Sequence, residues 1–181
     1  MRVNVCGCKL VLSIGDITEH QADAIVNAAN SDLAGGSGVD GAIQAAGGPE
    51  ILKDTQMRYP DGCKTGSAVA STAGNLSAKF VFHAVGPVWQ GGRSGESELL
   101  VSAYRSCLKL AVEHGCESIA FPAISAGAYG YPLDLAANVA IKACSDFQKW
   151  HKLPAEVHFV LFSEGVYGQF SRAIEAQLET A

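Results

Sequence analysis

The sequence predicts an α/β fold: a mostly parallel central sheet covered by helices on both faces. Two observations predict it. Short runs of aliphatic and β-branched residues recur without polar/apolar alternation, as strands buried on both faces do. Stretches with apolar residues at helical spacing lie between those runs, the order expected of strands joined by crossover helices. The 181 residues suit one domain over 1–181, long enough to bury roughly two-thirds of its unfolded surface. No linker, low-complexity tract or internal repeat divides them.

Element by element, Val3 to Ile14 reads as one extended segment ending at Gly15-Asp16, and Ala24-Ile25-Val26 as a short buried strand. Asp40 to Ala46 reads as helical, and Pro49 to Tyr59 as a second helix with Pro in its first turn, where a missing N–H costs nothing. Ser67 to Thr72 and Lys79 to Val85 read as strands joined through Gly74-Asn75. From Glu98 to Val112, Leu99/Leu100, Tyr104, Cys107/Leu108 and Ala111 recur with helical period, and Gly115 stops the helix. Ser118 to Ile124 is a buried strand, Asp134 to Trp150 a helix and Val157 to Phe162 a strand. Val166, Phe170, Ile174 and Leu178 then mark a closing helix.

Composition narrows the function. A net charge of −5 argues against a protein that holds nucleic acid by broad phosphate neutralisation, so no direct nucleic-acid contact is expected. Any polyanionic ligand has to be held locally, by backbone and dipoles. No apolar h-region opens the chain and no window approaches membrane-spanning length; a cytoplasmic protein without membrane contact is expected. The cysteines Cys6, Cys8, Cys63, Cys107, Cys116 and Cys144 are scattered and read as reduced thiols used as small hydrophobes. Cys6 and Cys8 on one strand would share a face, but no second close pair or nearby His completes a metal site, and no metal is expected.

In a parallel sheet, ligands sit beyond the carboxyl ends of the strands. The loops to watch are therefore Gly15 to Thr18, Asn27 to Asp40, Ser125 to Tyr131 and Ser163 to Tyr167. The second contains Gly35-Gly-Ser-Gly-Val-Asp40-Gly41, a glycine loop delivering one acid onto a helix start. Glycines admit an anion close to backbone N–H groups, and the helix end adds partial positive charge. The segment reads as a phosphate cradle with a reactive carboxylate, Asp40, built in; the plainer alternative is a loop that only turns the chain. Gly36 to Gly41 satisfies G-x-G-x-x-G, but nine residues separate it from Val26, which disfavours a dinucleotide fingerprint.

Ala123-Ile-Ser-Ala-Gly127 resembles a nucleophile elbow, and Asp134 or Asp146 with His151 or His158 would supply Ser…Asp…His order. Gly127, Gly130 and Pro132, however, delay the next helix and leave a loop of backbone amides better suited to an anion. Asp16 could accept from an exocyclic amine or merely cap a turn. Asn27 and Asn30 could meet sugar hydroxyls or satisfy their own loop. Tyr129 suits stacking. Phe162, at a strand end, is by default core, as is His83. Gly62 to Gly66 lacks P-loop spacing and reads as a turn.

Taken together, Gly15 to Thr18, Asp23 to Asn30, Gly35 to Ile43, His83 to Pro87 and Phe121 to Pro132 resemble the macrodomain family, specifically its MacroD-type ADP-ribosyl hydrolases and their bacterial relatives. The resemblance spans nearly the whole chain. It implies a three-layer α/β/α sandwich around a mixed sheet of about six strands, with ADP-ribose across its crest. Asp16 would accept from the adenine amine and Ile17 would offer its N–H. Ser37, Gly38 and Val39, with Ser125, Ala126, Gly127, Ala128 and Tyr129, would grip the diphosphate. Phe162 would flank the adenine, and Asn27, Asn30 and Asp40 would address the distal ribose.

The implied activity is hydrolysis there, without a cofactor. Asp40 or a ligand phosphate would orient and deprotonate a water, and Asn30 would fix the ribose. The implied partners are ADP-ribosylated proteins, cleaved at acidic side chains, or O-acetyl-ADP-ribose, and a monomer is expected. A non-catalytic ADP-ribose reader is the alternative. Three positions depart from the family's usual residues: Ser37 within the first glycine loop, Gln44 where many relatives carry His, and Ala126 where Thr is commoner.

Overall fold

The computed structural model describes residues 1–5 and 7–179. Its centre is a seven-stranded sheet in the order β1-β2-β7-β6-β3-β5-β4. The strands are β1 (Arg2–Val5), β2 (Cys8–Ile14), β3 (Ala24–Ala28), β4 (Ala68–Thr72), β5 (Phe80–Ala84), β6 (Ser118–Phe121) and β7 (Glu156–Leu161). β2, β7, β6, β3 and β5 run parallel, while the edge strands β1 and β4 pair antiparallel with β2 and β5.

The sheet has one strand more than the round figure of about six expected. Val3 to Ile14 is not one strand but a hairpin: Val5 pairs with Cys8, and Gly7 takes φ +86°, a backbone that residues with a Cβ rarely adopt. The idea that Cys6 and Cys8 share a strand face involves Cys6, which lies outside the described residues. β6 also ends earlier than expected, since Pro122 follows Phe121 and cannot donate to a ladder.

Five helices cover the sheet: α1 (Gly38–Gly47), α2 (Pro49–Arg58), α3 (Glu96–Glu113), α4 (Leu133–Gln148) and α5 (Glu164–Glu179). One face packs against α3, α4 and α5 through Leu100, Tyr104, Cys107, Ala137, Ala140, Ile141, Phe170 and Ile174. The other carries Ile25, Val81, Ala120 and Val160 under Ile43 of α1 and Ile51 of α2. The result is the α/β/α sandwich. Cys8, Cys63, Cys107, Cys116 and Cys144 are buried and free, and burial pushes their thiols up, Cys8 and Cys116 to about 11. Among the described residues no helix is long and apolar enough to cross a membrane.

Phe121 sits at the middle of the larger core, its ring 5.1 Å from Tyr104 and 5.7 Å from Phe159. Phe121→Ala is expected to lower the unfolding free energy by about 3–5 kcal/mol. Urea titration reads this as a lower midpoint at unchanged slope.

Candidate functional site

The five parallel strands all point their carboxyl ends at one cleft of about 690 Å³. Gly15 to Ile17 follow β2, Ala28 to Asn30 end and follow β3, Gly86 follows β5, Pro122 to Tyr129 follow β6, and Val160 to Phe162 close β7. Gly36 to Asp40 and Ala42 complete the wall from α1, and Val166 from α5. No Lys, Arg or His lines it among the described residues. An anion here has backbone dipoles to rely on.

Two loops supply them. The first runs into α1, which begins at Gly38 and so puts Asp40 in its opening turn. The first N–H groups of a helix have no partner within it, and Ser37 makes no side-chain cap to them. The N–H groups of Gly38, Val39 and Asp40 therefore open toward the cleft with the positive end of the helix dipole. The second loop leaves β6 at Pro122. Tyr104 of α3 braces it from below, its hydroxyl accepting from the Ile124 N–H at 3.3 Å. Trp89 N donates to the Tyr129 carbonyl at 2.8 Å and Tyr131 N to that of Ser125 at 3.0 Å. Among the described residues the N–H groups of Gly127, Ala128 and Tyr129 donate to no protein acceptor.

Ser125 holds φ +64°, uncommon without glycine, and its buried Oγ has no partner. It fits because Gly86 lies against it: a Cβ there would meet Ser125 Oγ at 2.2 Å and Ile124 Cγ2 at 2.6 Å.

Asp40 is buried at 5% exposure. Its Oδ1 accepts from Asn27 Nδ2 at 2.8 Å and from Gln44 Nε2 at 3.4 Å. Its Oδ2 faces the cleft loop, 3.2 Å from where a Cβ on Gly36 would stand; Asn30 Nδ2 is 3.8 Å from the same point. Asn30 ties its own loop, donating to the Gly35 carbonyl at 2.8 Å and accepting from Ala34 N at 3.2 Å. A carboxylate oxygen and an amide thus converge beside one glycine.

At the far end, Asp16 Oδ1 accepts from Thr18 N at 2.9 Å and Thr18 Oγ1 at 2.7 Å. Ile17 opens the short 3-10 turn that this cap starts, and the first N–H of such a turn has no partner within it; Asp16 and Ile17 both line the cleft. Phe162 is not core, as its place at a strand end suggested: it is 85% exposed over the cleft. α5 begins two residues later, at Glu164, so of the expected Ser163–Tyr167 loop only Val166 reaches the wall.

Asp16, Ile17, Asn30, Ser37, Gly38, Val39, Asp40, Ser125, Ala126, Gly127, Ala128, Tyr129 and Phe162 all line this cleft. Asn27 does not. It is fully buried behind Asp40, because its β3 position turns it inward. The Ser…Asp…His arrangement is not assembled either. His158 bonds His20 and Glu156, His151 faces the Phe147 carbonyl, and Asp146 is paired with Lys142.

A macro domain family model matches residues 26–140. The chain belongs to the macro domain family. It is 51% identical over 169 residues to a macro domain-containing protein of Caldanaerobacter subterraneus, covering 92% of this chain and 96% of that one. It is 53% identical to the O-acetyl-ADP-ribose deacetylase of Salmonella gallinarum, covering 90% and 92%. Among solved structures, the Oceanobacillus iheyensis macrodomain with ADP superposes with TM-score 0.95 at 36% identity, covering 100% of this chain and 97% of that one. As a macro domain, this chain places its cleft where the carboxyl ends of the parallel strands meet, with Asp40 in its wall.

Sequence reasoning missed what stands behind the acid. His83 and Ser71 are buried with Asn27 in one hydrogen-bonded row. The usable signal was polar residues interrupting apolar strands at Asn27, Ser71 and His83. It becomes readable only once β3, β5 and β4 are known to be neighbours.

Proposed function

We propose that this macro domain is an ADP-ribose-binding hydrolase that deacetylates O-acetyl-ADP-ribose, releases mono-ADP-ribose from acidic side chains, or does both. One observation carries the reading: the Asp40 carboxylate, with an oxygen unbonded among the described residues, stands between two loops of open backbone amides suited to an anion. A pure reader gains nothing from a negative charge beside a diphosphate, where like charges repel. The kinship with a deacetylase supports the same conclusion.

In this reading the open N–H groups of Gly38 to Asp40 and Gly127 to Tyr129 hold the diphosphate. Asp16 Oδ2 accepts from the adenine amine while the Ile17 N–H donates to the ring, and Phe162 covers the base. Asp40 Oδ2 and Asn30 Nδ2 then sit at the distal ribose. Asp40 positions a water there and receives its proton, or leaves that proton to a ligand phosphate. For the acetyl ester, the water oxygen bonds to the carbonyl carbon. The ester C–O bond then breaks, and the ribose hydroxyl leaves with a proton, giving acetate and ADP-ribose. For a glutamyl ester the same water attacks the anomeric carbon and the protein carboxylate departs.

Single-turnover incubation with O-acetyl-ADP-ribose and with a protein mono-ADP-ribosylated on glutamate tests this. Release of acetate or of ADP-ribose supports the enzyme; tight ADP-ribose binding with neither product makes the chain a reader. Phe162→Ala is expected to weaken ADP-ribose binding by about 1–3 kcal/mol, the range for loss of one base–aromatic stack, which calorimetry reads directly.

A further inference from the structure

Behind Asp40 a row of polar side chains crosses the sheet face under α1 and α2. Asn27 of β3, His83 of β5 and Ser71 of β4 are 0%, 1% and 1% exposed. The register sets them side by side: Asn27 pairs with His83 across β3 and β5, and Ser71, opposite Val81, is diagonal to His83 across β4 and β5.

Their chemistry fixes the direction of every hydrogen bond in the row. An ionised carboxylate only accepts, so Asn27 must present Nδ2 to Asp40 Oδ1, at 2.8 Å. The same Nδ2 is 3.1 Å from His83 Nδ1, so its second hydrogen goes there and Nδ1 is the acceptor. The His83 proton is then on Nε2, donated to Ser71 Oγ at 2.7 Å, and Ser71 sends its own hydrogen to the Thr72 carbonyl at 2.9 Å. The opposite amide orientation would set Asn27 Oδ1 against the Asp40 carboxylate, which cannot donate.

We propose that His83 is a positioning residue: its Nδ1 locks the Asn27 amide, which holds Asp40 Oδ1 so that Oδ2 alone meets the cleft. This rests on the reading of the cleft as the hydrolytic site. Burial holds the His83 ring well below its ordinary range, at about 4, so the ring is neutral at neutral pH and its unprotonated nitrogen, Nδ1 in the bond pattern above, can accept. An apolar side chain would fill the same space, but it would leave Asn27 anchored to Asp40 alone, and the pair would turn together. Catalytic groups have to be held within about 10–20° of productive geometry.

The test compares two amides of similar bulk. In His83→Asn an oxygen can stand near Nδ1 and accept from Asn27. In His83→Gln the amide instead reaches toward Ser71 and leaves Asn27 without its acceptor. His83→Gln is expected to lower the single-turnover rate about 10- to 100-fold, as loss of a supporting outer partner does, with the Kd for ADP-ribose within about twofold, because the phosphate amides are untouched. His83→Asn restores most of the rate. Ser71→Ala, which frees the ring to take the other tautomer, falls between them. Equal rates in both His83 variants, or a Kd that worsens in step with the rate, overturn the proposal.

The side-chain amide signals of Asn27 read the lock without turnover. In the native chain both hydrogens are slow to exchange, and His83→Gln releases one. Unchanged exchange overturns the positioning role even where the native chain hydrolyses. An altered amide in a chain that releases neither product would instead count against the hydrolase reading alone.

Discussion

Asp40→Ala is expected to lower the single-turnover rate of product release about 10²–10⁴-fold, the usual contribution of a placed general acid or base, while ADP-ribose binding survives. The two effects separate because the groups are different. In the proposed mechanism the rate depends on Oδ2, which faces Gly36 and has no hydrogen-bond partner among the described residues. Binding in that mechanism depends on backbone N–H groups at Gly38 to Asp40 and Gly127 to Tyr129, present whatever the side chain at 40. Removing one negative charge from beside a diphosphate also relieves repulsion, so the Kd is expected to hold or tighten.

The variant is not silent in stability. Asn27 loses the acceptor for one buried hydrogen, a cost of about 1–3 kcal/mol, and α1 loses an acid from its first turn, worth about 0.3–1 kcal/mol. Rates should therefore be taken well below the shifted melting temperature. Asp40→Asn keeps the shape and an acceptor for Asn27 but cannot take a proton. If it turns over at the native rate, the carboxylate is not the base, and the ligand phosphate takes that role.

The fold was readable wherever burial dictated residue type. β3, β6 and β7 are short apolar runs, and α3 shows Leu100, Tyr104, Cys107 and Ala111 at helical spacing because that stripe faces the sheet. The β1–β2 hairpin was not readable, since a single Gly7 marks the reversal within a run rich in Val and Leu. In the site, the glycine loop and Asp40 were legible because their requirement is local: φ, a helix start, a charge. Asn27 and Phe162 were not placed, because what they meet depends on which strand lies alongside; His83 is the core histidine the sequence suggested, but its partners Asn27 and Ser71 were not readable. Period-two patterning says which face a residue takes, not what waits there. Phe162 sits one residue beyond β7, where the sheet stops covering it.

Gly41→Ala gives the second large effect, and propensity alone predicts the wrong sign. Gly41 lies inside α1, where Ala is normally better by about 0.8–1.0 kcal/mol. Its Cβ, however, would stand 2.7 Å from the Gly36 carbonyl oxygen, a backbone atom with no rotamer to change. Either α1 or the first glycine loop must move. Gly36 is the residue between Asp40 Oδ2 and Asn30 Nδ2, so the same shift spreads these two groups and tilts the Gly38 to Asp40 amides, which in the proposed mechanism carry the chemistry and the diphosphate. A displacement near 1 Å costs on the order of 10²-fold in rate. Here, unlike Asp40→Ala, affinity and turnover are expected to fall together. Calorimetry with ADP-ribose beside single-turnover kinetics separates the two cases: a Gly41→Ala chain that binds as tightly as the native one would mean that α1 yields without carrying the loop along, and that the cradle is softer than its close contacts imply.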